Sequence, residues 1–383
     1  MEIVLSENET QHQQDIERRE LSVGAGQAVR SLAREICALL DAAIVDPAAA
    51  ARTLTDPVLI DQIDTRVAEL PAEVRHVMRP PATAAGATIV SRLPLADNEI
   101  GPTPPSWRDA AVWSGDPVWR AHSFELDLVM LLLARSAGEP FGWDGQQDGR
   151  LVNNIIPALG HEYEQSGASS KVLLSPHTED AFHPRRSHLL LLGCLRNADS
   201  VGTTASSVRR VALSSRDRIQ LSTPTLPILP DVSYGADLTG HSAPTVPTLW
   251  TATDATEQTV RYDPAYTPLA EADPEFRAAY DRLTAEFERV CVTAVLAPGE
   301  VLLLDNDVAV HGRVPFTPRY DGTDRWLKRV NIWLPERQRR NEEASENGYG
   351  QCIVAPFRAA RALQAERGTQ EQVRTVPHPR AGE

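Results

Sequence analysis

The stretch CVTAVLAPGEVLLLDNDVAVHG, residues 291–312, contains the pattern that decides the predicted fold. Two apolar runs, Cys291–Leu296 and Val301–Leu304, flank the turn residues Pro298 and Gly299. Short apolar runs bounded by turn residues are typical of buried β-strands. We therefore expect two strands here, and we expect His311 to lie farther on, where a strand ends and the backbone turns.

Other runs of the same kind surround this stretch. They are Lys171–Leu174, His188–Leu195, Val208–Leu213, Gln258–Tyr262 and Leu327–Trp333, with a shorter one at Ala87–Arg92. Many short strands in one region favour a barrel or sandwich over a doubly wound sheet. No GxGxxG or Walker-type loop follows any of these runs, which disfavours a nucleotide-binding fold. We predict a mainly β protein with flanking helices, of the α+β class.

Helical spacing of apolar residues predicts helices within residues 21–46, 57–70, 124–137 and 274–290. We predict a disordered tail over residues 1–20 and a single domain over residues 21–383. That domain would comprise a helical part (21–140), a β core (about 150–335) and a C-terminal extension (336–383). Five prolines fall within Ser222–Leu249, which predicts a long loop and a lid over a site. The alternative for this loop is a mobile insertion without a role.

Composition excludes several classes of function. The formal net charge of −14 and the pI near 5.2 argue against nonspecific binding to nucleic acid or to an anionic membrane. No apolar run approaches the length of a membrane span, and the polar N-terminus is not a signal peptide. The four cysteines form no CxxC pair. We therefore expect reduced thiols and a cytoplasmic protein.

A histidine and a carboxylate at His177 and Glu179 point to one face if the chain there is extended, because the strand period is two. With a distant third ligand, His311, they would occupy one face of a metal ion. Two histidines and one carboxylate leave coordination positions open, as in iron(II) oxygenases. His183 and His188 lie close to this motif, but we expect structural roles for both rather than metal ligation.

Two arginines follow His311 in the stretch Thr323–Trp333. Arg325 and Arg329 share strand parity and would lie on the order of 13 Å apart along an extended strand. Buried guanidinium groups are costly unless anions meet them, and their forked shape fits carboxylates. Two arginines therefore suggest two carboxylate ligands. The alternative is a pair of structural ion pairs with Asp321 and Asp324.

The sequence HTEDAFHPRR (177–186), continuing to GCLRN (193–197), resembles the clavaminate synthase-like group of Fe(II)/2-oxoglutarate oxygenases. So does VHGRVPFTPRYDGTDRWLKR (310–329), and GPTPPSW (101–107) and WDGQQDGR (143–150) look like that group too. The likeness extends over roughly residues 85–335. Within the group, the chain is most similar to hydroxylases of free L-arginine and L-asparagine from peptide-antibiotic pathways.

The resemblance implies a double-stranded β-helix, or jelly-roll, core. It also implies that Fe(II), 2-oxoglutarate and O2 take part in catalysis. The residue roles that it implies are these: His177, Glu179 and His311 as iron ligands, Arg325 for the distal carboxylate of 2-oxoglutarate, Arg329 for the α-carboxylate of an amino acid, and Gln146 for its α-amino end. The proline-rich loop would close over the substrate.

Relatives that hydroxylate arginine receive its guanidinium group on a D-x-D pair. The corresponding stretch here has Asp263 in the first position and Ala265 in the second. Losing one acid weakens the case for a strongly cationic side chain, and a neutral ureido group, as in citrulline, would be better tolerated. Arginine, lysine or an amide stays open as well, with hydroxylation at C3 or C4. The alternative for Asp263 is a turn residue. Two other functions also remain: the same chemistry on a carrier-tethered aminoacyl group, and a non-catalytic 2-oxoglutarate sensor.

Overall fold

The structure is a computed structural model, and it describes residues 16–43, 46–116, 120–234, 244–251 and 257–358. Two principal β-sheets form its core, and a two-stranded sheet lies beside them. In the order in which they pair, the strands of the larger sheet are β1 (Glu17–Glu20), β2 (Ala87–Ser91), β11 (Val301–Asp305), β6 (Leu189–Arg196), β13 (Trp326–Trp333), β3 (Glu139–Trp143) and β14 (Ile353–Val354), and β4 (Asn153–Ile155) also pairs with β13. The smaller sheet contains β10 (Val292–Ala294), β7 (Thr203–Ser207), β12 (Ala309–Arg313) and β5 (Leu174–His177), and the separate pair is β8 (Leu249–Thr251) with β9 (Gln258–Val260).

Alternation along β11 shows how the layers pack. Leu302 and Leu304 face the smaller sheet and join an apolar cluster with residues of β7, β10 and β12. Val301 and Leu303 point to the other face, where they pack against helices. Successive side chains of a strand point to opposite faces, so one apolar run serves two layers. The prediction of a mainly β, jelly-roll core with flanking helices is confirmed.

The described helices are α1 (Val23–Ala43), α2 (Pro47–Thr53), α3 (Pro57–Arg66), α4 (Ala72–Val77), α5 (Asp97–Ile100), α6 (Trp107–Gly115), α7 (Arg120–Ala137), α8 (Ser215–Ser222) and α9 (Pro274–Arg289). Helix α7 packs on the outer face of the larger sheet, and α1 packs against α7. Helix α9 packs Phe276, Leu283 and Phe287 against residues next to the smaller sheet. Asp273 caps its first turn by accepting hydrogen bonds from two backbone N–H groups.

Three sequence predictions need correction. The tail predicted over residues 1–20 is wrong for Glu17–Glu20, which pair in parallel with β2; residues 1–15 lie outside the described residues. The strand predicted at Val208–Leu213 begins as a 3-10 turn, because the Ser207 hydroxyl accepts from the Arg209 N–H. The strand there is instead the serine- and threonine-rich β7, which has no apolar alternation to reveal it.

The third correction concerns Lys171–Leu174, where the strand starts only at Leu174 and runs to His177. Pro176 obscured it in the sequence, and a proline is tolerated because β5 is an edge strand. In the proline-rich segment, Leu226 forms an isolated bridge with Val246 and a 3-10 turn spans Val232–Tyr234. Residues 235–243 of the predicted lid lie outside the described residues.

Within the described residues, no helix combines the length and apolar character that crossing a membrane would require.

Gly312 offers a test of how tightly β5 and β12 pair. A Cβ atom at this position would clash with the Leu174 carbonyl oxygen, so Gly312→Ala should separate the two strands and cost about 1–3 kcal/mol of unfolding free energy. At Gly24 nothing lies within 4 Å, and Gly24→Ala should change stability by less than about 0.5 kcal/mol. Denaturant unfolding measures both. Equal stability of the two variants would contradict the close pairing.

Candidate active site

A cavity of about 420 Å³ opens between the two sheets. Its walls include every residue that the sequence predicted for the site: His177, Glu179, His311, Arg325, Arg329, Gln146 and Asp263. These residues come from positions up to 183 apart in the chain. The fold therefore brings together in one cavity all seven residues that the sequence singled out.

The two histidines face each other across paired strands. In the antiparallel pairing of β12 with β5, His311 lies directly opposite His177, and their ring centroids are 4.5 Å apart. Glu179 follows two residues after His177, in the turn that ends β5. His311 lies in the middle of β12 (Ala309–Arg313), so the prediction that it ends a strand is wrong.

The three side chains fit a metal ion. One nitrogen of each histidine and one oxygen of Glu179 all lie within 4.8 Å of one another. The Nδ1 atom of His177 donates to the Ser175 carbonyl oxygen at 2.8 Å, which leaves Nε2 free to act as a ligand. Two imidazoles and one carboxylate form a donor set suited to iron(II), with coordination positions left for other ligands.

Electrostatics keep Glu179 ionised. Burial would raise the pKa of its carboxyl, but the charge of Arg329 and contacts with His177 and His311 hold that pKa well below its usual range. Burial would likewise lower the pKa of His177, and Glu179 and Asp263 outweigh it and raise that pKa to about 9. Asn306 fixes the backbone here by accepting from the Glu179 N–H at 2.8 Å and donating to its carbonyl oxygen at 3.1 Å.

Arg329 lies beside the metal group. Its guanidinium donates to Glu179, to the Gln146 side-chain oxygen and, at 2.8 Å, to Asn153 Oδ1. Its Nε is buried and has no acceptor among the described residues. Within the described residues, neither Arg325 nor Arg329 forms the alternative ion pair with Asp321 or Asp324. The carboxylate of Asp324 accepts backbone N–H groups instead.

Arg325 is the more isolated cation. It donates one hydrogen bond, to Thr203 Oγ1 at 2.9 Å, and its Nε is buried without an acceptor. No carboxylate forms an ion pair with it within the described residues. Burial lowers the pKa of Arg325 to about 10, so the group still carries its charge at neutral pH. A buried charge of this kind requires an anion, and the cavity is where one could enter.

Acidic side chains line another part of the cavity. Burial raises the pKa of Asp263 to about 6, against the opposing charge of His177. Its carboxylate also accepts from the Ala265 N–H at 3.1 Å, so Asp263 serves a turn and faces the cavity at once. Asp231, from the proline-rich segment, lines the same cavity, and burial raises the pKa of its carboxyl too.

Sequence reasoning missed several of these residues. Asp231 and Ser233 gave no signal beyond their place in a proline-rich loop. Asp180 follows Glu179 directly, yet its role appears only in space: it accepts from Trp143 Nε1 at 2.6 Å and from the Tyr234 hydroxyl at 2.5 Å. Tyr234 belongs to the predicted lid, so this contact links the lid to the metal motif.

The structure keeps His183 and His188 apart from the metal group. His183 Nδ1 accepts from the Arg185 N–H at 3.0 Å, and its ring lies 4.4 Å from that of Trp143. His188 Nδ1 accepts from the Leu334 N–H at 2.9 Å. Both histidines hold the local chain in place, as the sequence predicted.

Removing any one ligand should abolish tight metal binding. We expect His177→Ala, Glu179→Ala and His311→Ala each to lower the affinity for Co(II) by at least about 100-fold, because the remaining pair cannot hold the ion. Calorimetric titration measures this affinity. His161→Ala is the control, since this exposed histidine also lines the cavity but lies outside the group. Loss of binding in the control alone would place the metal elsewhere.

Comparison with known proteins agrees with this geometry. Residues 135–331 match the family described as "Taurine catabolism dioxygenase TauD, TfdA family". The chain is 35% identical over 295 residues to an enduracididine beta-hydroxylase of Streptomyces hygroscopicus, which covers 71% of this chain and 84% of that protein. It is 34% identical over 266 residues to an L-ornithine/L-arginine 3-hydroxylase of Catenulispora acidiphila, covering 64% of this chain and 75% of that protein.

A solved structure with the same fold is the non-heme iron oxygenase OrfP in complex with Fe and alpha-ketoglutaric acid. The match has a TM-score of 0.67 and 36% identity, and it covers 82% of this chain and 94% of OrfP. The metal group, the buried Arg325 without an acidic partner among the described residues, and these similarities all indicate the same chemistry. The chain belongs to the TauD/TfdA family of dioxygenases and is an enzyme of this class, with iron(II) and 2-oxoglutarate as its cofactors.

Proposed function

We propose that the chain hydroxylates a free basic L-amino acid at C3 or C4, and that it prefers arginine to citrulline. The observation that supports this most directly is the content of a single cavity. It holds a three-ligand metal group, two buried arginines and, near His177, the acidic residues Asp263 and Asp231. A dicarboxylate co-substrate and an amino acid with a cationic side chain together complement these charges.

Each residue then has a role. His177, Glu179 and His311 hold iron(II). Arg325, whose Nε has no acceptor in the described chain, receives the distal carboxylate of 2-oxoglutarate, with Thr203 beside it. When bound, iron and 2-oxoglutarate supply the oxidising chemistry, in which one oxygen atom of O2 enters the substrate C–H bond and the other enters succinate as CO2 leaves.

The amino-acid substrate binds between two groups of residues, one that holds its α-amino and α-carboxylate groups and one that holds the end of its side chain. The Nε–H of Arg329, which has no acceptor among the described residues, is free to donate a charge-assisted hydrogen bond to the α-carboxylate, and Gln146 and Glu179 lie beside it for the α-amino group. Asp263 and Asp231 receive the side-chain end. Fixing both ends presents one middle C–H to the metal, and misplacement by about 1 Å costs on the order of 100-fold in rate.

Asp231 changes the expectation that followed from Ala265. With Ala265 in the second position of the D-x-D pair, one acid alone would favour a neutral ureido group. Asp231 lies close enough to raise the pKa of Asp263, so two acids flank the same space and a guanidinium group becomes the better fit. Relatives point the same way: OrfP has been solved with (3S)-hydroxy-L-Arg and with (3R,4R)-dihydroxy-L-Arg.

Further observations support three other parts of the proposal: a lid over the cavity, a cytoplasmic location and a place in antibiotic biosynthesis. We propose that the described part of the proline-rich segment, residues 222–234, contributes to a lid, because Ser233 accepts from Gln146 at 3.3 Å and Tyr234 donates to Asp180. Cys194, Cys291 and Cys352 are free thiols, which supports a cytoplasmic location. The relatives that include an enduracididine hydroxylase and clavaminate synthase support a place in antibiotic biosynthesis.

A substrate panel tests the proposal. Purified enzyme with iron(II), 2-oxoglutarate and ascorbate in air should form succinate with arginine most strongly, and the amino acid should gain 16 mass units, one oxygen atom. Citrulline, ornithine, lysine, asparagine and glutamine complete the panel. Succinate without preference among free amino acids would instead support a carrier-tethered substrate. No succinate from iron-loaded protein would support a non-catalytic sensor.

Asp263 should discriminate arginine from citrulline. Asp263→Asn removes a charge without changing the size of the side chain, so kcat/KM for arginine should fall by about 10- to 100-fold while citrulline loses much less. Steady-state kinetics on both substrates measure the difference. Glu164→Gln, at a more exposed position in the wall of the same cavity, serves as the matched control. An equal loss for both substrates in Asp263→Asn would contradict recognition of the guanidinium group.

A further inference from the structure

A fully buried charge cluster, formed by Lys328, Asp127 and Arg150, lies outside the lining of the cavity. Lys328 donates to Asp127 at 2.6 Å, and Arg150 pairs with the other oxygen of the same carboxylate. All three side chains are 0% exposed. Burial lowers the pKa values of Lys328, to about 8, and of Arg150. Two cations on one carboxylate make a costly arrangement in a protein interior, which suggests that it has a use.

The cluster holds the chain segment that borders Arg329. Arg150 is fixed from several sides, by the carbonyl oxygens of Ala51, Arg52 and Val152 and by the Ser114 hydroxyl. Its own carbonyl oxygen accepts from Asn153 Nδ2 at 3.1 Å. Asn153 Oδ1 in turn accepts from Arg329 at 2.8 Å. The side chain of Asn153 therefore links the fixed backbone of Arg150 to the guanidinium of Arg329.

The same cluster also steadies the turn before β4. Lys328 donates to Asn154 Oδ1 at 3.1 Å, and the Gln147 side chain bonds both the N–H and the carbonyl oxygen of Asn154, at 2.8 and 2.9 Å. Gln147 and Asp148 have positive φ angles of 46° and 56°. This strained backbone directly follows Gln146 and needs such support.

Because adjacent residues of β13 point to opposite faces, Lys328 and Arg329 connect two environments. Lys328 faces the buried cluster and Arg329 faces the cavity, while on the neighbouring strand their Cα partners are Asn154 and Asn153. The cluster thus fixes β4 against β13 on one face, and Asn153 transmits this position to the cavity on the other. Arg329 donates three N–H groups to Glu179, Gln146 and Asn153, which leaves its buried Nε–H for a ligand.

We propose that Asn153 is a positioning residue for the substrate α-carboxylate: anchored on Arg150, it orients the Arg329 guanidinium so that the free Nε–H meets that carboxylate. This inference rests on the proposed function, in which Arg329 binds the amino-acid head. Asn153 itself is 4% exposed and acts through Arg329. Without it, Arg329 keeps its charge but loses one of the neutral acceptors that fix its plane.

A comparison of acid and amide substrates tests this role. The panel's best substrate and its α-carboxamide differ only at the group that Arg329 binds. The wild type should prefer the acid by about 100-fold in kcat/KM. In Asn153→Ala this ratio should fall by about 10-fold, with a raised KM for the amino acid, an unchanged KM for 2-oxoglutarate, and more succinate formed per hydroxylated product.

Asn197→Ala is the matched control. Asn197 is also a buried asparagine, at 8% exposure, and bonds Val201 and Leu296 away from the cavity wall. It should lose stability while keeping the wild-type ratio. Asn153→Asp covers the case in which the alanine variant does not fold. This variant retains an acceptor oxygen for Arg329, but its negative charge competes with the substrate carboxylate. The ratio of kcat/KM for the acid to that for the amide should therefore fall at least as far as in Asn153→Ala.

An unchanged ratio in a folded Asn153 variant would overturn the positioning role, as would an equal fall in Asn197→Ala. Neither result would contradict the proposed hydroxylase activity. A wild-type enzyme inactive on every free amino acid would overturn the proposed function and this inference together.

Discussion

The antiparallel pairing of β12 with β5 is the constraint on which the site depends, because it places His311 directly opposite His177. A shift of one residue in this register would turn one imidazole to the other face of the sheet. Gly312 permits the close approach, since any side chain there would meet the Leu174 carbonyl. The position of Glu179 follows from the same pairing, because Asn306, just before β12, holds the Glu179 backbone.

Charge compensation is the second constraint. The walls of the cavity contain buried cations and buried acids, and only some of them neutralise each other. Arg329 pairs with Glu179, whereas Arg325 has no acidic partner in the described chain. Such a set is stable only if ligands provide the missing charges. A metal, a dicarboxylate and a basic amino acid provide them together, which is why the pattern of charges is informative about function.

The resemblance to a known family implied the jelly-roll class and the roles of Gln146 and Asp263. The spacing of H-x-E, the later histidine and the two arginines indicated the other five predicted residues, and all seven line the cavity. The sequence did not predict β7, whose threonines and serines show no apolar alternation, or β5, which contains Pro176. Nor could it reveal Asn153, Asp231 or Asp180. Asn153 and Asp180 act through partners distant in the chain, Arg329 and Tyr234, and Asp231 reaches the cavity only in the folded structure.

The most direct test of the central claim, that one cavity holds metal, 2-oxoglutarate and a basic amino acid together, is anaerobic absorption spectroscopy. Protein loaded with iron(II) should develop the visible charge-transfer band of an iron(II)–2-oxoglutarate chelate when 2-oxoglutarate is added. Addition of L-arginine should then shift that band, because the amino acid binds beside the metal. A band that never forms, or one that no free amino acid perturbs, would contradict the account.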